Sequence, residues 1–145
     1  MRAVIQRVLD AVLVVDGKEI SKIGHGYVIF LGVGKSDTKE NADYFIKKIP
    51  PMRICEDENG KINKSILDVK GEILLVSQFT LYADTSHGNR PSFFEAEAPE
   101  KANELYLYIA KGLEAQGVPV KLGVFGADMK ICQTNDGPFT VVLEK

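Results

Sequence analysis

The stretch Glu72–Tyr82, EILLVSQFTLY, constrains this chain more than any other. Its period is two. Leu74, Val76, Gln78, Thr80 and Tyr82 fall on one face of an extended strand, and Leu75, Ser77, Phe79 and Leu81 on the other. The pattern predicts a strand running to Tyr82, with a polar insertion, Ser77-Gln78-Phe79-Thr80, near its end. Gln78 and Thr80 share a face with Leu74 and Val76, where apolar side chains are the expected filler. A polar pair in that position needs a partner or a ligand, because an unpaired polar group loses its hydration for nothing. Taken alone, ordinary cross-strand hydrogen bonding is the simpler account.

The rest of the chain supplies what such a strand packs with. Ala3-Val4-Ile5 opens a first strand, and Ala11–Val15 is a second or its continuation. Asp16-Gly17 is a hairpin turn leading into Glu19–Ile23. Tyr27–Val33 reads as a buried strand ending at Gly34. Asp37 and Glu40 resemble a capping box, and Ala42, Phe45, Ile46 and Ile49 then line one face of a helix that Pro50-Pro51 stops. Met52–Cys55 reads as a strand and Asp57–Gly60 as a turn; Ser65–Leu67 is ambiguous. Asp84–Ala98 is a long loop, of a length that is often functional. Pro99 suits the first turn of a second helix, whose stripe is Ala102, Leu105, Tyr106, Ile109 and Leu113 and whose cap is Gly117. Val118–Phe125, Met129–Gln133 and Phe139–Leu143 are late strands, with Asn135–Pro138 a turn between the last two. No repeat, low-complexity tract or linker interrupts residues 1–145, so one domain is expected. The class is α+β: antiparallel and mixed sheet forming a barrel-like core, with two helices packed outside.

Composition narrows the function. The 145 residues are 45% hydrophobic, enough for a core. MRAVIQRV lacks the apolar run of a signal peptide, and no stretch has the length of a membrane span, so the cytoplasm is the default. Cys55 and Cys132 stand far apart, which argues against a disulfide scaffold or a cysteine zinc site and for reduced thiols. A net charge of -2 argues against non-specific coating of nucleic acid, but not against gripping one end of an RNA. Eleven of the 18 Lys and Arg lie in residues 1–64, a mild skew that a solvated surface also explains.

The chemistry is set as much by what is missing. His25 and His87 are the two histidines. His87 follows Thr80 by seven residues in a Gly-containing loop, a spacing that does not suggest a base held on a hydroxyl. HExxH, GxSxG, Walker-type and GxGxxG patterns are all lacking, so neither a metal nor a nucleotide cofactor is expected. Gly137-Pro138 remains: before a proline, a glycine lets main chain approach a ligand closely, while the cis form of an arbitrary X-Pro bond has a prior of only about 5–6%.

At these residues the chain resembles the D-aminoacyl-tRNA deacylases. Ser77-Gln78-Phe79-Thr80-Leu81 is similar to the family's strand motif, and Asn135-Asp136-Gly137-Pro138 to its Gly-cisPro motif. Met1–Val8, Arg90-Pro91-Ser92-Phe93 and Phe125-Gly126-Ala127-Asp128-Met129 also match. The five segments run in order from the first residue nearly to the last. The resemblance implies hydrolysis of the ester joining a D-amino acid, or mischarged glycine, to the 3′-terminal adenosine of tRNA. It implies a homodimer with active sites at the interface. Ser77, Gln78, Phe79 and Thr80 would be catalytic, and Gly137 and Pro138 from the partner subunit would reject L-amino acids. Arg7 would anchor their carbonyls, since guanidinium donors suit main-chain oxygens; a surface or strand-edge arginine is nearly as good an account of it.

Ester hydrolysis needs a nucleophile and stabilisation of an oxyanion. With no base in view for Thr80, backbone N–H groups around Gln78, Phe79 and Thr80 are expected to hold the carbonyl. The family picture adds a water assisted by the ribose 2′-hydroxyl, with Thr80 a positioning residue. Two rivals stand beside this reading: a non-catalytic RNA-end or protein-binding module on the same fold, and a Ser/Thr esterase using His87.

Overall fold

The computed structural model describes residues 1–145. Its first strand, β1, runs unbroken from Arg2 to Val15, so Ala11–Val15 continues the opening strand. Asp16 and Gly17 both take positive φ, 50° and 75°, and turn the chain into β2 (Lys18–Ile23). These are the residue types that tolerate the left-handed region a two-residue hairpin demands. β3 (Gly26–Gly32) pairs antiparallel with the first half of β1, placing Leu31 opposite Ala3 and Tyr27 opposite Arg7.

Helix α1 (Lys39–Lys48) follows. Its N-cap is Thr38, whose backbone N–H donates to Asn41 Oδ1 at 2.9 Å, so the capping box lies one residue later than Asp37–Glu40. Asp37 is drawn away by stronger claims: it is buried and accepts the Gly34 N–H at 2.6 Å. Of the expected Met52–Cys55 strand only the end is extended, as β4 (Cys55–Glu56), paired with β5 (Ile62–Lys64). Asp57 closes the intervening turn by accepting the N–H groups of Asn59 and Lys61, and Ser65–Leu67 leads into a second turn.

β6 (Glu72–Ser77) runs parallel to β3, and β7 (Val120–Leu122) parallel to β6. A parallel pair needs a long crossover. The first carries α1 and the second carries α2 (Pro99–Ala115), which begins with Pro in its first turn as expected. The two helices touch each other and cover one sheet face. Beneath them lie Tyr27, Ile29, Leu31, Ile73 and Leu75, packed against Phe45, Tyr106, Ile109 and Leu113. The other face of the same strands gives Val28, Leu74 and Val76, which meet Leu13 and Ile23 from β1 and β2. This is the alternation read from the sequence, with β6 buried on both sides.

The long strand β8 (Lys130–Glu144) pairs antiparallel with β1 along nearly its whole length. The sheet order β2-β1-β3-β6-β7, with β8 on β1, gives a mixed sheet nearly closed into a barrel with two helices outside.

Candidate functional site

Past Ser77 the structure departs from the expected strand. Gln78 N–H makes a last ladder-like bond to Leu31 O at 2.8 Å, and the chain then coils into a 3₁₀ helix, Phe79–Tyr82. The reason lies in the neighbour: β3 ends at Gly32, so β6 has nothing left to pair with. Gln78 and Thr80 are therefore not strand face-mates. They still satisfy one another, because the coil brings Gln78 Nε2 to 2.5 Å from Thr80 Oγ1.

The coil also changes which main-chain donors are free. Gln78 N–H is spent on Leu31, whereas Leu81 N–H returns to Gln78 O within the turn. Phe79 N–H and Thr80 N–H have no acceptor, as expected of the first donors of any helical turn. Both residues are exposed. Two adjacent unspent N–H groups can bind one oxyanion.

Ser77, Gln78 and Phe79 line a cavity of about 640 Å³. Its floor is Leu31 and Val76. Its walls are Phe93, Ala96 and Glu97 from the loop, Ala102 and Tyr106 from α2, and Phe125–Met129. Tyr106 is fixed by donating its hydroxyl to Leu75 O at 2.7 Å, and burial pushes its phenol well above the ordinary range. The lining is mainly apolar, with few polar groups, the composition of a small-molecule pocket. Phe93, Tyr106 and the Phe125–Met129 segment carried no assigned role in the sequence, although Arg90–Phe93 and Phe125–Met129 stood out as motifs. Nothing in their spacing places them opposite Ser77.

His87 is exposed and makes no hydrogen bond to Ser77 or Thr80. No other base contacts the Thr80 hydroxyl. No group of three or more His, Cys, Asp or Glu side chains could hold a metal ion.

The second cluster surrounds Arg7. Asn135–Pro138 is not a turn between two strands: both flanking halves of β8 pair with the same strand, β1. Gln6 faces Thr140 and Val8 faces Asn135, so the four residues between them bulge out opposite Arg7 alone. The Gly137-Pro138 peptide is cis. Gly137 has φ +124°, and a Cβ there would lie 2.8 Å from the Phe139 nitrogen, so a side chain is excluded twice over. Arg7 is 2% exposed, which rules out a surface arginine. Its Nε lies 3.2 Å from Asp136 O and 2.9 Å from Asp136 Oδ2. Its two terminal nitrogens reach Ile54 O and Glu56 Oε1, each at 3.0 Å. It therefore holds the base of the bulge through Asp136, rather than through Gly137 or Pro138.

The two clusters stand apart within one chain. Arg7 aligns with Tyr27 and Ile73, four residues along β6 from Ser77 and two strands across. At about 3.3 Å per residue and 4.8 Å per strand, that is roughly 16 Å. No hydrogen bond joins them, and neither Gly137 nor Pro138 lines the cavity.

The cavity thus has an apolar floor and is edged by free backbone donors. The family model described as D-Tyr-tRNA(Tyr) deacylase matches residues 4–144. A D-aminoacyl-tRNA deacylase of Limosilactobacillus reuteri is 50% identical over 145 residues, all of both chains. One from Persephonella marina is 53% identical over 144 residues, 99% of this chain and 97% of that one. Among solved structures, one titled c-Myc DNA Unwinding Element Binding Protein superposes with a TM-score of 0.94 at 41% identity, covering 100% of this chain and 99% of that chain. Another, titled as a probable eukaryotic D-amino acid tRNA deacylase, has a TM-score of 0.82 at 19% identity over 98% and 97%, a likeness of fold. The chain belongs to the D-Tyr-tRNA(Tyr) deacylase family, and is a hydrolase.

Proposed function

We propose that this protein hydrolyses the ester of D-aminoacyl-tRNA at the Ser77–Thr80 turn. Water adds across the ester bond, releasing the amino acid and leaving the hydroxyl on the terminal ribose of the tRNA. The observation that carries this reading is the pair of unspent N–H groups on Phe79 and Thr80 beside the cavity. They are placed to stabilise the oxyanion as the carbonyl is attacked, and rigid donors of this kind act without reorganising. Thr80 is held by Gln78 and has no base, so it positions substrate; the ribose 2′-hydroxyl assists the water.

Chiral selection falls to Gly137 and Pro138 of a second copy. D- and L-amino acids carry the same groups, so a wall at the place of the L side chain discriminates where added attraction does not. Within one chain the bulge and the turn are too far apart to share a substrate. The 15-residue strand β8 pairs with β1 alone, so its outer edge is open to a partner. A homodimer with its sites across that boundary brings the two motifs together. A wall that excludes side chains without reading them also admits glycine, so glycyl-tRNA is a substrate. The enzyme works where charged tRNA is used, in the cytoplasm.

Matched D- and L-aminoacyl-tRNAs test the reading. Release of the D-amino acid with the L-ester left intact is the expected result. No hydrolysis of either would sink it and favour an RNA-end binding module.

A further inference from the structure

The loop that roofs the cavity exposes more aromatic surface than the cavity uses. Phe79 and Phe93 meet edge to face, with ring centroids 4.9 Å apart, and both line the cavity. Phe94, the next residue, points away from it and is 73% exposed. It is the most exposed large apolar side chain in the molecule. A ring exposed to this degree offers a face on which another ring can stack. Here a cation already sits on it: Lys35 Nζ lies 3.2 Å from the ring centroid.

The position of this pair is fixed by backbone. Gly34 bridges to Ala96, Lys35 N–H donates to Glu95 O at 3.1 Å, and Glu97 N–H donates to Val33 O at 2.9 Å. Val33, Ala96 and Glu97 line the cavity, whereas Lys35 lies one step outward on the same short ladder and Phe94 in the turn that precedes it. Phe94 and Glu95 are the central residues of a turn that Ala96 N–H closes on Phe93 O at 3.0 Å. Phe93 before this turn residue and Ala96 after it both line the cavity, so the Phe94 ring flanks the mouth.

Charge indicates which kind of partner. Lys35 makes no ion pair, whereas Glu97 is already engaged by Lys101 at 2.5 Å. Glu95 is the one carboxylate of the ladder without a cation. A cation beside an exposed aromatic ring suits a base with its phosphate. Single-stranded nucleic acid is bound in this way, by stacking on aromatics with basic groups beside the backbone. The cation over the ring adds attraction for a second face only from the side it leaves open.

Resting on the proposed deacylase reaction, we propose that Phe94 and Lys35 form a stacking step for the unpaired nucleotide that precedes the terminal adenosine of an aminoacyl-tRNA. The cavity takes the aminoacylated adenosine, and this step holds its neighbour. The step reads no base identity, because every base offers a face.

The test compares two substrates: D-aminoacyl-tRNA, and D-aminoacyl-adenosine, which lacks the preceding nucleotide. Phe94→Ala is expected to raise KM for the tRNA substrate about tenfold, in line with loss of one stacked base, with kcat little changed. Neither constant should move for D-aminoacyl-adenosine. Phe94→Tyr should restore the tRNA KM and Phe94→Leu should not. Lys35→Gln should raise it by less. Phe94 is exposed, so thermal melts of all variants should match the parent. An unchanged tRNA KM in Phe94→Ala overturns the proposal and leaves the ring to a protein partner or a second copy. An equal loss on both substrates, or rescue by leucine, also overturns it. If the parent protein hydrolyses neither substrate, the deacylase reading falls and takes this inference with it.

Discussion

Tyr82 Oη donates to Asp37 Oδ2 at 3.2 Å, tying the 3₁₀ helix behind Thr80 to the loop before α1. The same carboxylate is 2% exposed, accepts the Gly34 N–H at 2.6 Å and meets the Met1 amine at 2.5 Å. Arg2 completes the clamp, donating to Leu81 O at 2.9 Å with its guanidinium 4.7 Å from the Tyr82 ring centroid. The turn that carries Phe79 and Thr80 is thus held from behind. Removing the carboxylate leaves the buried Met1 amine without its counter-charge, with only Lys145 O to accept from it, and the Gly34 N–H unmatched, so Asp37→Ala should cost about 3 kcal/mol. Tyr82→Phe loses one hydrogen bond, about 1 kcal/mol. Urea unfolding of both variants checks the order, and a Tyr82→Phe loss equal to that of Asp37→Ala would refute it.

At Gly137 an added Cβ meets the Phe139 nitrogen at 2.8 Å, on a backbone of φ +124°. Gly137→Ala must therefore move the bulge, at a cost of about 1–3 kcal/mol. If the bulge rejects L substrates, the variant should hydrolyse L-aminoacyl-tRNA measurably or lose turnover on the D-ester. Unchanged rates on both would remove Gly137 from the chiral filter.

Arg7 divides its donors among three residues on two segments: Ile54 O and Glu56 around β4, and Asp136 in the bulge. A lysine supplies a point charge and cannot span that fork. Arg7→Lys should thus lose about 2 kcal/mol and Arg7→Ala about 3 kcal/mol or more, since each leaves the buried Ile54 O without its donor and two partly exposed carboxylates without their cation. Chemical denaturation reports the stability. The D/L rate ratio reports whether the bulge has moved, and a lysine variant equal to the parent in both would show that charge alone suffices.

The limits of the sequence are visible at particular residues. The periods of α1, α2 and the core of β6 were legible because each buries an apolar stripe. Leu81 and Tyr82 continue the alternation of β6 equally well, yet the strand ends because β3 stops at Gly32, a fact of pairing that Glu72–Tyr82 does not contain. Asn135–Pro138 has the chemistry of a turn, which a bulge shares; only the length of β1 decides between them. Asp37 has the chemistry of a cap and spends its carboxylate on tertiary contacts instead. The motif residues Ser77–Thr80, Arg7, Gly137 and Pro138 were all legible as candidates, but the walls of the cavity come from distant segments that no local spacing links.

Burial pushes the Tyr27 hydroxyl and the Cys55 thiol, 3.3 Å apart, above their ordinary values of 10.0 and 9.0. Both groups are neutral when protonated, so the folded state holds these protons more tightly than the unfolded chain does. Stability from this source is full below about pH 9. It falls as the unfolded chain ionises and the folded one does not. The unfolding free energy should decline as pH rises from 9 through 10 and beyond, and Tyr27→Phe should flatten the decline. An equally steep decline in that variant would assign the pH dependence to other groups.

Thr80 Oγ1 accepts the Gln78 amide at 2.5 Å and touches no base, and His87 lies out of its reach. A hydroxyl without a base is a weak nucleophile at neutral pH. Thr80→Ala should therefore keep single-turnover deacylation within about tenfold of the parent, as befits a lost positioning contact worth roughly 1 kcal/mol. A covalent threonine intermediate demands far more, a loss on the order of 10⁴-fold or greater, as removal of a true nucleophile gives. His87→Ala should leave the rate unchanged. Rapid-quench measurements at saturating enzyme separate these outcomes, since product release does not limit a single turnover. A collapse in Thr80→Ala with His87→Ala unaffected would restore threonine as the nucleophile. A collapse in both would instead assign His87 as its base, brought in by closure of the Asp84–Ala98 loop over substrate.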